Sequence, residues 1–334
     1  MRVSVIIPAH NAENSLKLTL DSVVGQTKSA HEIIVINDGS TDNTEATAKS
    51  YGERIIYLEQ ENAGQGAARN HGLQIASGDA IAFLDADDFW RPQFLERCCA
   101  FLREHPEAIA VNTGLLTRLV DGLELRQPAS LQGVNAPEKP YMLDDFFAFW
   151  AQHDHVRTGS ALIRKTATDL AGLQRADLRV SQDLEYWGLL ATYGSWGYIP
   201  EALWVGNSRA AAAGFAWLRK YRKRRKLCPT VESWQERLLP RLNEAQLPSF
   251  RIVRGRVAAG YAHNHILGGN PAQSRHIIAT YGEELPNNKL TWFLRLGHRC
   301  GAIGWWLACR VVVAREYGKV LRWQLRKSDK QRSK

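Results

Sequence analysis

Within its first 90 residues the chain alternates four short apolar runs with stretches of helical periodicity, and each run ends in polar residues. Residues 3–7 (VSVII) are a β-branched run that suits a buried parallel strand, closed by Pro8. Residues 12–25 place Leu16, Leu20 and Val23 at helical spacing. A second strand is expected over 32–36, followed by the acidic turn Asn37-Asp38-Gly39-Ser40, with Thr41 or Asp42 able to cap the next helix. Residues 54–58 and 80–84 read as the third and fourth strands, and 64–75 as a glycine-entered helix between them. Such alternation builds a parallel α/β sheet. In such sheets ligands bind beyond the carboxyl ends of the strands, where segments 8–11, 37–40 and 85–88 fall.

The chemistry at those ends points one way. Asp85-Ala86-Asp87-Asp88 holds carboxylates one residue apart, a hard-oxygen site suited to Mg²⁺ or Mn²⁺ with substrate phosphates. Asp38 can accept a hydrogen bond from a base or ribose, and Arg69, one helical turn beyond Gly66, can reach a base or a phosphate. Together they describe a pocket for a metal-bound nucleotide diphosphate. Each piece alone has a plainer meaning, as a turn, a helix cap or a packing glycine. Gly64, Gly66 and Gly72 form neither the dinucleotide fingerprint nor a P-loop.

The runs VSVIIPAHNAENSLKLTLDSVVGQT, EIIVINDGSTDNT and NAGQGAARNHGLQIASGDAIAFLDADD, taken in order, resemble the nucleotide-binding half of family 2 glycosyltransferases. The resemblance is strong over 1–110 and weaker to about 210. It implies an inverting enzyme of the GT-A fold, a mostly parallel sheet flanked by helices, here with a helical C-terminal extension. It also implies a nucleotide-sugar donor, most often UDP-linked, and a divalent cation. Pro8, Ala9 and Asn11 match the segment lining base and ribose, with His10 where the family often has Tyr. Asp38 matches the uracil-binding acid and Arg69 the arginine on the base or phosphate side. Asp85, Ala86 and Asp87 match the metal and ribose motif, with Asp87 the metal ligand and Asp88 in support.

Residues 179–204 (RVSQDLEYWGLLATYGSWGYIPEALW) place Gln182 and Asp183 at a helix start, where free amides favour a carboxylate. Leu184, Trp187, Leu190 and Ala191 form that helix's apolar face. Alone, Asp183 is a helix cap. The family usually carries Glu-Asp here with the Asp as general base, so the resemblance assigns the base to Asp183, with Gln182 replacing the Glu. Residues 157–165 resemble the strand before the base, and 204–208 border the donor phosphates. Residues 143–150 suit an acceptor-side helix and 129–140 a loop. His153-Asp154-His155 reads as a polar loop in preference to a metal site. The Gln-X-X-Arg-Trp motif of processive members is missing, so one sugar per encounter is expected.

Charge separates the rest of the chain. The chain carries a net +9, and residues 290–334 alone hold 11 Lys or Arg against 2 Asp or Glu. The first 289 residues therefore balance to zero, which argues against a nucleic-acid binder. The five cysteines lack CxxC spacing and read as reduced thiols. The N-terminus reaches Pro, His and Asn too early for a signal peptide, and no run of 18 apolar residues occurs. A cytoplasmic protein is expected. Residues 219–226 (RKYRKRRK), and Trp292, Phe293, Trp305, Trp306 and Trp323 set among basic residues, suit a peripheral anchor on an anionic membrane face. On the tail helix Arg315, Lys319, Arg322 and Arg326 share one face, with Val313, Tyr317, Val320 and Leu321 broadly opposite. The competing expectation is a tail packed on the protein's own core.

The expected organisation is a catalytic domain over 1–210 (nucleotide half 1–110, acceptor half 111–210), a helical region over 211–289 and a tail over 290–334. The acceptor expected is a saccharide or a polyprenyl-diphosphate-linked saccharide, in cell-surface polysaccharide assembly. A nucleotidyltransferase would need a Gly-rich basic phosphate loop that residues 8–12 lack. A non-catalytic sugar-nucleotide-binding module fits poorly with Asp38, Asp85, Asp87 and Asp183 all present.

Overall fold

In the computed structural model, which describes residues 1–118, 124–127, 139–153, 155–207 and 222–332, all four expected runs are strands. They are β1 (Val3–Ala9), β2 (Glu32–Asp38), β3 (Ile56–Gln60) and β4 (Ala80–Phe83). Six more follow: β5 (Phe89–Trp90), β6 (Ala108–Arg118), β7 (Glu124–Gln127), β8 (Tyr141–Met142), β9 (Ala161–Arg164) and β10 (Ser195–Asn207). They make one sheet ordered β3-β2-β1-β4-β9-β6-β10-β5, with β7 on β6 and β8 on β10. The β3-β2-β1-β4 half is parallel, and β9 runs antiparallel to β4.

Pro8 does not end β1, contrary to the sequence expectation. It stays in register with Ile36 of β2. Ile6 accepts from Leu84 N on the β4 side, so the missing N–H of Pro8, two residues on, faces the same side, past the end of β4. The third strand starts later than 54, because Gly52, at φ +57°, opens a 3₁₀ turn, Gly52–Arg54.

Helices α1 (Leu16–Val24), α2 (Thr44–Lys49), α3 (Gln65–Ile75) and α4 (Phe94–Glu104) flank the sheet. Val5, Ile6 and Ile7 are fully buried, each contributing about 1.5–3 kcal/mol of apolar burial. Gly72 lets α3 sit directly on β1, since a Cβ there would lie 2.5 Å from Ile6 Cγ2. Helices α5 (Phe146–Gln152), α6 (Lys165–Ala171) and α7 (Gln182–Leu190) complete this part. Leu184 is half-exposed, and α7 is buried instead through Tyr186, Trp187, Leu189 and Leu190.

Two polar expectations are corrected. His153 and His155 are buried among aromatic rings, 4.6 Å from the Phe149 ring centroid, and so are not a polar loop. Trp204 lies in the β10 core rather than on a phosphate-facing surface. Asp154 and most of 129–140 lie outside the described residues.

The chain divides into two compact units, Met1–Asp177 with Gln182–Ser208, and Leu178–Ser181 with Arg209–Lys334. The second is helical: Val231–Gln235, Leu247–Gly268, Pro271–Tyr281, Lys289–Arg299 and Gly301–Arg332. The first of these helices is short, and Pro240 sits in a separate 3₁₀ turn, Leu239–Arg241. Arg254 is the polar centre of this unit. It holds both carboxylate oxygens of Glu284, donates to Gln235 Oε1 at 2.9 Å and lies over the Tyr281 ring. Trp305 is buried and donates to Pro271 O at 3.2 Å, and Ala308 and Val312 are buried beside it. Part of the tail thus packs on the protein itself. Residues 219–221 and the side chains from Lys319 onward, including Arg322, Trp323 and Arg326, lie outside the described residues.

All five thiols are unbridged. Burial pushes the Cys98 and Cys99 thiols up, and that of Cys228 up to about 12. Native-state labelling at mildly alkaline pH is expected to modify exposed Cys300 first and to leave Cys98, Cys99 and Cys228 unmodified until denaturant is added. Equal reactivity of Cys98 and Cys300, read by mass spectrometry, would contradict this packing.

Candidate active site

The parallel strands deliver their polar termini to one edge, as the alternation requires. At the end of β1, Pro8 and Ala9 are buried strand residues, and the exposed side chains are His10 and Asn11. Asn11 has φ +50°, a left-handed conformation that Asn tolerates better than most residues. Its backbone N–H donates to Ser40 Oγ at 3.0 Å, and its Oδ1 accepts from Thr41 N at 2.8 Å. Asn11 therefore ties the loops after β1 and β2 together.

Asp38 closes β2 with its carboxylate turned inward. Oδ1 accepts from Gln60 Nε2 and Ala63 N, both at 2.8 Å, and Oδ2 accepts from Gly64 N at 2.9 Å. Only 4% of the residue is exposed. Gly64, at φ +92°, makes the backbone reversal that aims two successive amides at this carboxylate. His10 Nδ1 lies 2.8 Å from Asp38 O and acts as the donor there, since a carbonyl only accepts. Asn62 Nδ2 donates to the same carbonyl at 3.0 Å. Neither Gln60 nor Asn62 carries a sequence signal of its own, although Asn62 lies inside the NAGQG motif.

After β4 the chain makes a tight turn, with Asp88 N donating to Asp85 O at 3.0 Å. Asp85, Asp87 and Asp88 are half-exposed and Ala86 is buried. Arg69 reaches this turn from α3. Its Nη2 donates to Asp85 Oδ1 at 2.6 Å, with side-chain exposures of 1% for Arg69 and 24% for Asp85. The structure thus places Arg69 under the site, acting through Asp85, rather than on its open surface. Gln174, 3.5 Å from Arg69 Nη1, is a second partner that the sequence did not reveal.

Asp183 enters from a distant part of the chain. It lies in the first turn of α7, and its Oδ2 is 3.5 Å from Thr158 Oγ1, at the limit of a hydrogen bond. Thr158 opens the turn Thr158–Ser160 just before β9. Because β9 is antiparallel to β4, that turn falls at the carboxyl end of β4. A Cβ on Gly159 would lie 2.9 Å from Leu84 Cδ1, the residue before Asp85. Topology therefore brings Asp183, through the Thr158 turn, to the same carboxyl end of β4 that Asp85 follows, across a hundred residues of sequence. Ser181, before α7, has φ +59°, uncommon for a non-glycine residue and a local cost of about 1–3 kcal/mol. Gln182 is buried against Gly66, its Cγ 3.7 Å from where a Cβ would be.

The donor set suits a divalent ion on its own chemistry. Asp85 and Asp87 are hard oxygen donors on one turn, open to solvent. Two carboxylates suit Mg²⁺ or Mn²⁺, which fill their remaining positions with water and substrate phosphates. Among the described residues no group of three or more His, Cys, Asp or Glu forms an all-protein cage.

Residues 4–169 match the model of Glycosyl transferase family 2. A glycosyltransferase of Streptococcus pneumoniae, GlyA, is 43% identical over 113 residues, which cover 33% of this chain and 16% of that protein. An uncharacterized glycosyltransferase of Rickettsia typhi is 32% identical over 188 residues, covering 55% of this chain and 57% of the relative. YibD of Escherichia coli K12, an uncharacterized glycosyltransferase, is 46% identical over 98 residues, 28% of each chain. The chain thus spans less than two thirds of the length of these curated relatives. Among solved structures, S. aureus TarS 1-349 superposes with a TM-score of 0.56 at 16% identity, covering 98% of this chain and 92% of that one. The same protein in complex with UDP-GlcNAc superposes with a TM-score of 0.54 at 16% identity, with the same coverage. At that identity the likeness carries the fold, the GT-A type expected from the sequence.

Proposed function

Because residues 4–169 belong to glycosyl transferase family 2, we propose that this chain moves a single sugar, with inversion, from a nucleotide diphosphate donor to a saccharide or lipid-linked saccharide. The donor we favour is UDP-linked, since TarS, of the same fold, has been solved with UDP-GlcNAc. The observation that carries the reading is that Asp183 sits against Thr158, whose turn lies beside Leu84 at the carboxyl end of β4, one residue before Asp85.

Each residue then has a task. Asp38 fixes the 60–64 loop that walls the base side, and Asn11 fixes the two neighbouring loops. Arg69 orients Asp85. Asp87, with Asp85 beside it and Asp88 in support, would hold Mg²⁺ or Mn²⁺, which when bound neutralises charge on the departing diphosphate. Asp183 takes the proton of the acceptor hydroxyl as that oxygen attacks the anomeric carbon from the face opposite the diphosphate. The hydroxyl oxygen bonds to the anomeric carbon and the bond to the diphosphate breaks. One displacement inverts the centre without a covalent intermediate. The anomeric carbon carries oxocarbenium character in between, as in other glycosyl transfers.

A place on the inner face of a membrane, in cell-surface polysaccharide assembly, completes the proposal. The helices Lys289–Arg299 and Gly301–Arg332 expose Trp292, Leu296, Ile303, Trp306, Leu307 and Val311. Residues 289–315 contain basic side chains and no acid. Among the described residues no helix is long and apolar enough to cross a membrane. Apolar surface with a basic surround suits interfacial attachment.

The test is a panel of UDP-, GDP- and dTDP-sugars with Mg²⁺ or Mn²⁺ and a membrane lipid extract, reading released nucleotide diphosphate. We expect metal-dependent release from one donor, UDP-linked. Binding of one donor without release would favour the binding-module reading.

A further inference from the structure

We propose that the helical unit holds a binding site for a phosphate group carried on a hydrophobic chain, in the cleft lined by Arg222, Arg225 and Arg310. The cleft has a volume of about 390 Å³, and all its walls belong to that unit. Ile266, Leu267, Trp306 and Val313 supply apolar walls. Arg222 is exposed and lies beside Gly269, its Nη2 3.9 Å from where a Cβ would sit. Gly269 takes the left-handed conformation that ends the helix Leu247–Gly268. Arg225 is 9% exposed. Arg310 lies over the Trp306 ring, 5.1 Å from its centroid, which fixes the guanidinium by cation–π attraction. Guanidinium groups present paired donors that match phosphate oxygens.

One carboxylate, Glu316, also lines the cleft. It is 16% exposed and lies 3.5 Å from His263 Nε2. The exposed guanidinium groups of Arg222 and Arg310 against one largely covered carboxylate leave the mouth of the cleft cationic. The apolar walls decide what carries the phosphate. The cleft opens beside Trp306, and the same helix exposes Ile303 at 77%, Leu307 at 51% and Val311 at 51%. A free phosphate makes no use of such flanks, whereas a lipid phosphate uses both. The inference deepens the membrane part of the proposed function and rests on it. It is independent of the sugar-transfer part, because no residue of the sheet unit takes part.

The experiment measures partition of the full chain onto vesicles of phosphatidylcholine mixed with phosphatidylglycerol, and onto phosphatidylcholine alone. The test variant is Arg222→Gln/Arg310→Gln. The control, Lys223→Gln/Arg251→Gln, removes the same charge from exposed positions that do not line the cleft. The test variant is expected to lose about thirtyfold in partition onto the mixed vesicles. The control is expected to lose severalfold less, and inorganic phosphate is expected not to compete. Arg310→Lys, which keeps charge but not the planar fork, is expected to recover only part of the loss. Equal losses in test and control would reduce the effect to general surface charge and overturn the site. So would unchanged partition of the test variant. Calorimetric binding of inorganic phosphate to the wild type, lost in the test variant while vesicle partition persists, would show a site for soluble phosphate and overturn the lipid assignment. Sugar release is measured alongside, so failure of the transferase reading shows separately.

Discussion

Asp183→Asn is expected to lower sugar transfer by about 10²–10⁴-fold, the usual range for a lost general base, while donor binding and fold persist. The substitution preserves shape and can still accept from Thr158 Oγ1 through its carbonyl oxygen. What it removes is the capacity to hold the acceptor's proton. The side chain lies at the start of α7, where unpaired amides of the first turn favour a carboxylate. The 3.5 Å separation from Thr158 is loose, so the carboxylate is not locked into a structural bond. Thr158→Val should therefore cost much less than Asp183→Asn. The readouts are product formation at saturating donor and donor affinity by calorimetry. A rate for Asp183→Asn within a fewfold of wild type would move the base elsewhere, without touching the family assignment.

The two kinds of residue at this site differ in how much of them the sequence shows. The strand ends are local features. A β-branched run, a polar break and a helical period lie within about 20 residues of each other, so the edge carrying residues 8–11, 37–40 and 85–88 could be read directly. The direction in which each side chain turns is not local. Asp38 looks outward-facing in Asn-Asp-Gly-Ser, yet two amides 25 and 26 residues later turn it inward, because Gly64 adopts a positive φ. Arg69 looks like a ligand-binding cation, yet it meets Asp85 below the surface. His153 and His155 suggest a polar loop by composition, but the Phe146 and Phe149 rings cover them. Trp305 and Trp306 are neighbours about 100° apart on one helix. Packing against Pro271 takes one in and leaves the other 56% exposed. Periodicity finds the elements, and only tertiary contacts decide which polar groups they consume.

That consumption has a measurable asymmetry at the Arg69–Asp85 pair. Asp85→Ala is expected to destabilise the sheet unit by about 3–5 kcal/mol, the cost of orphaning a buried charge, and Arg69→Met by clearly less. Arg69 is 1% exposed and a guanidinium cannot shed its proton to escape burial, so removing Asp85 strands a full positive charge. Its contact with Gln174 Oε1, 3.5 Å from Nη1, is long and neutral. The converse change is milder. Asp85 has 24% of its side chain exposed, so water can solvate the carboxylate once the guanidinium is gone. Methionine also refills much of the apolar volume that the arginine stem occupied. At roughly 2–4 °C per kcal/mol for a unit of this size, Asp85→Ala should lower the sheet unit's melting midpoint by about 10 °C. A fluorescence or calorimetric melt of both variants reads the difference. If Arg69→Met proved the costlier change, the guanidinium would have to be holding more than Asp85. If neither shifted the midpoint, the pair would not be buried as described. Activity adds an independent reading, because the proposed function gives Asp85 a place at the donor site as well. Arg69→Met should leave Asp85 present but poorly aimed, so it is expected to raise KM for the donor more than it lowers kcat. A residue whose role was stability alone would move the melt and leave KM where it was.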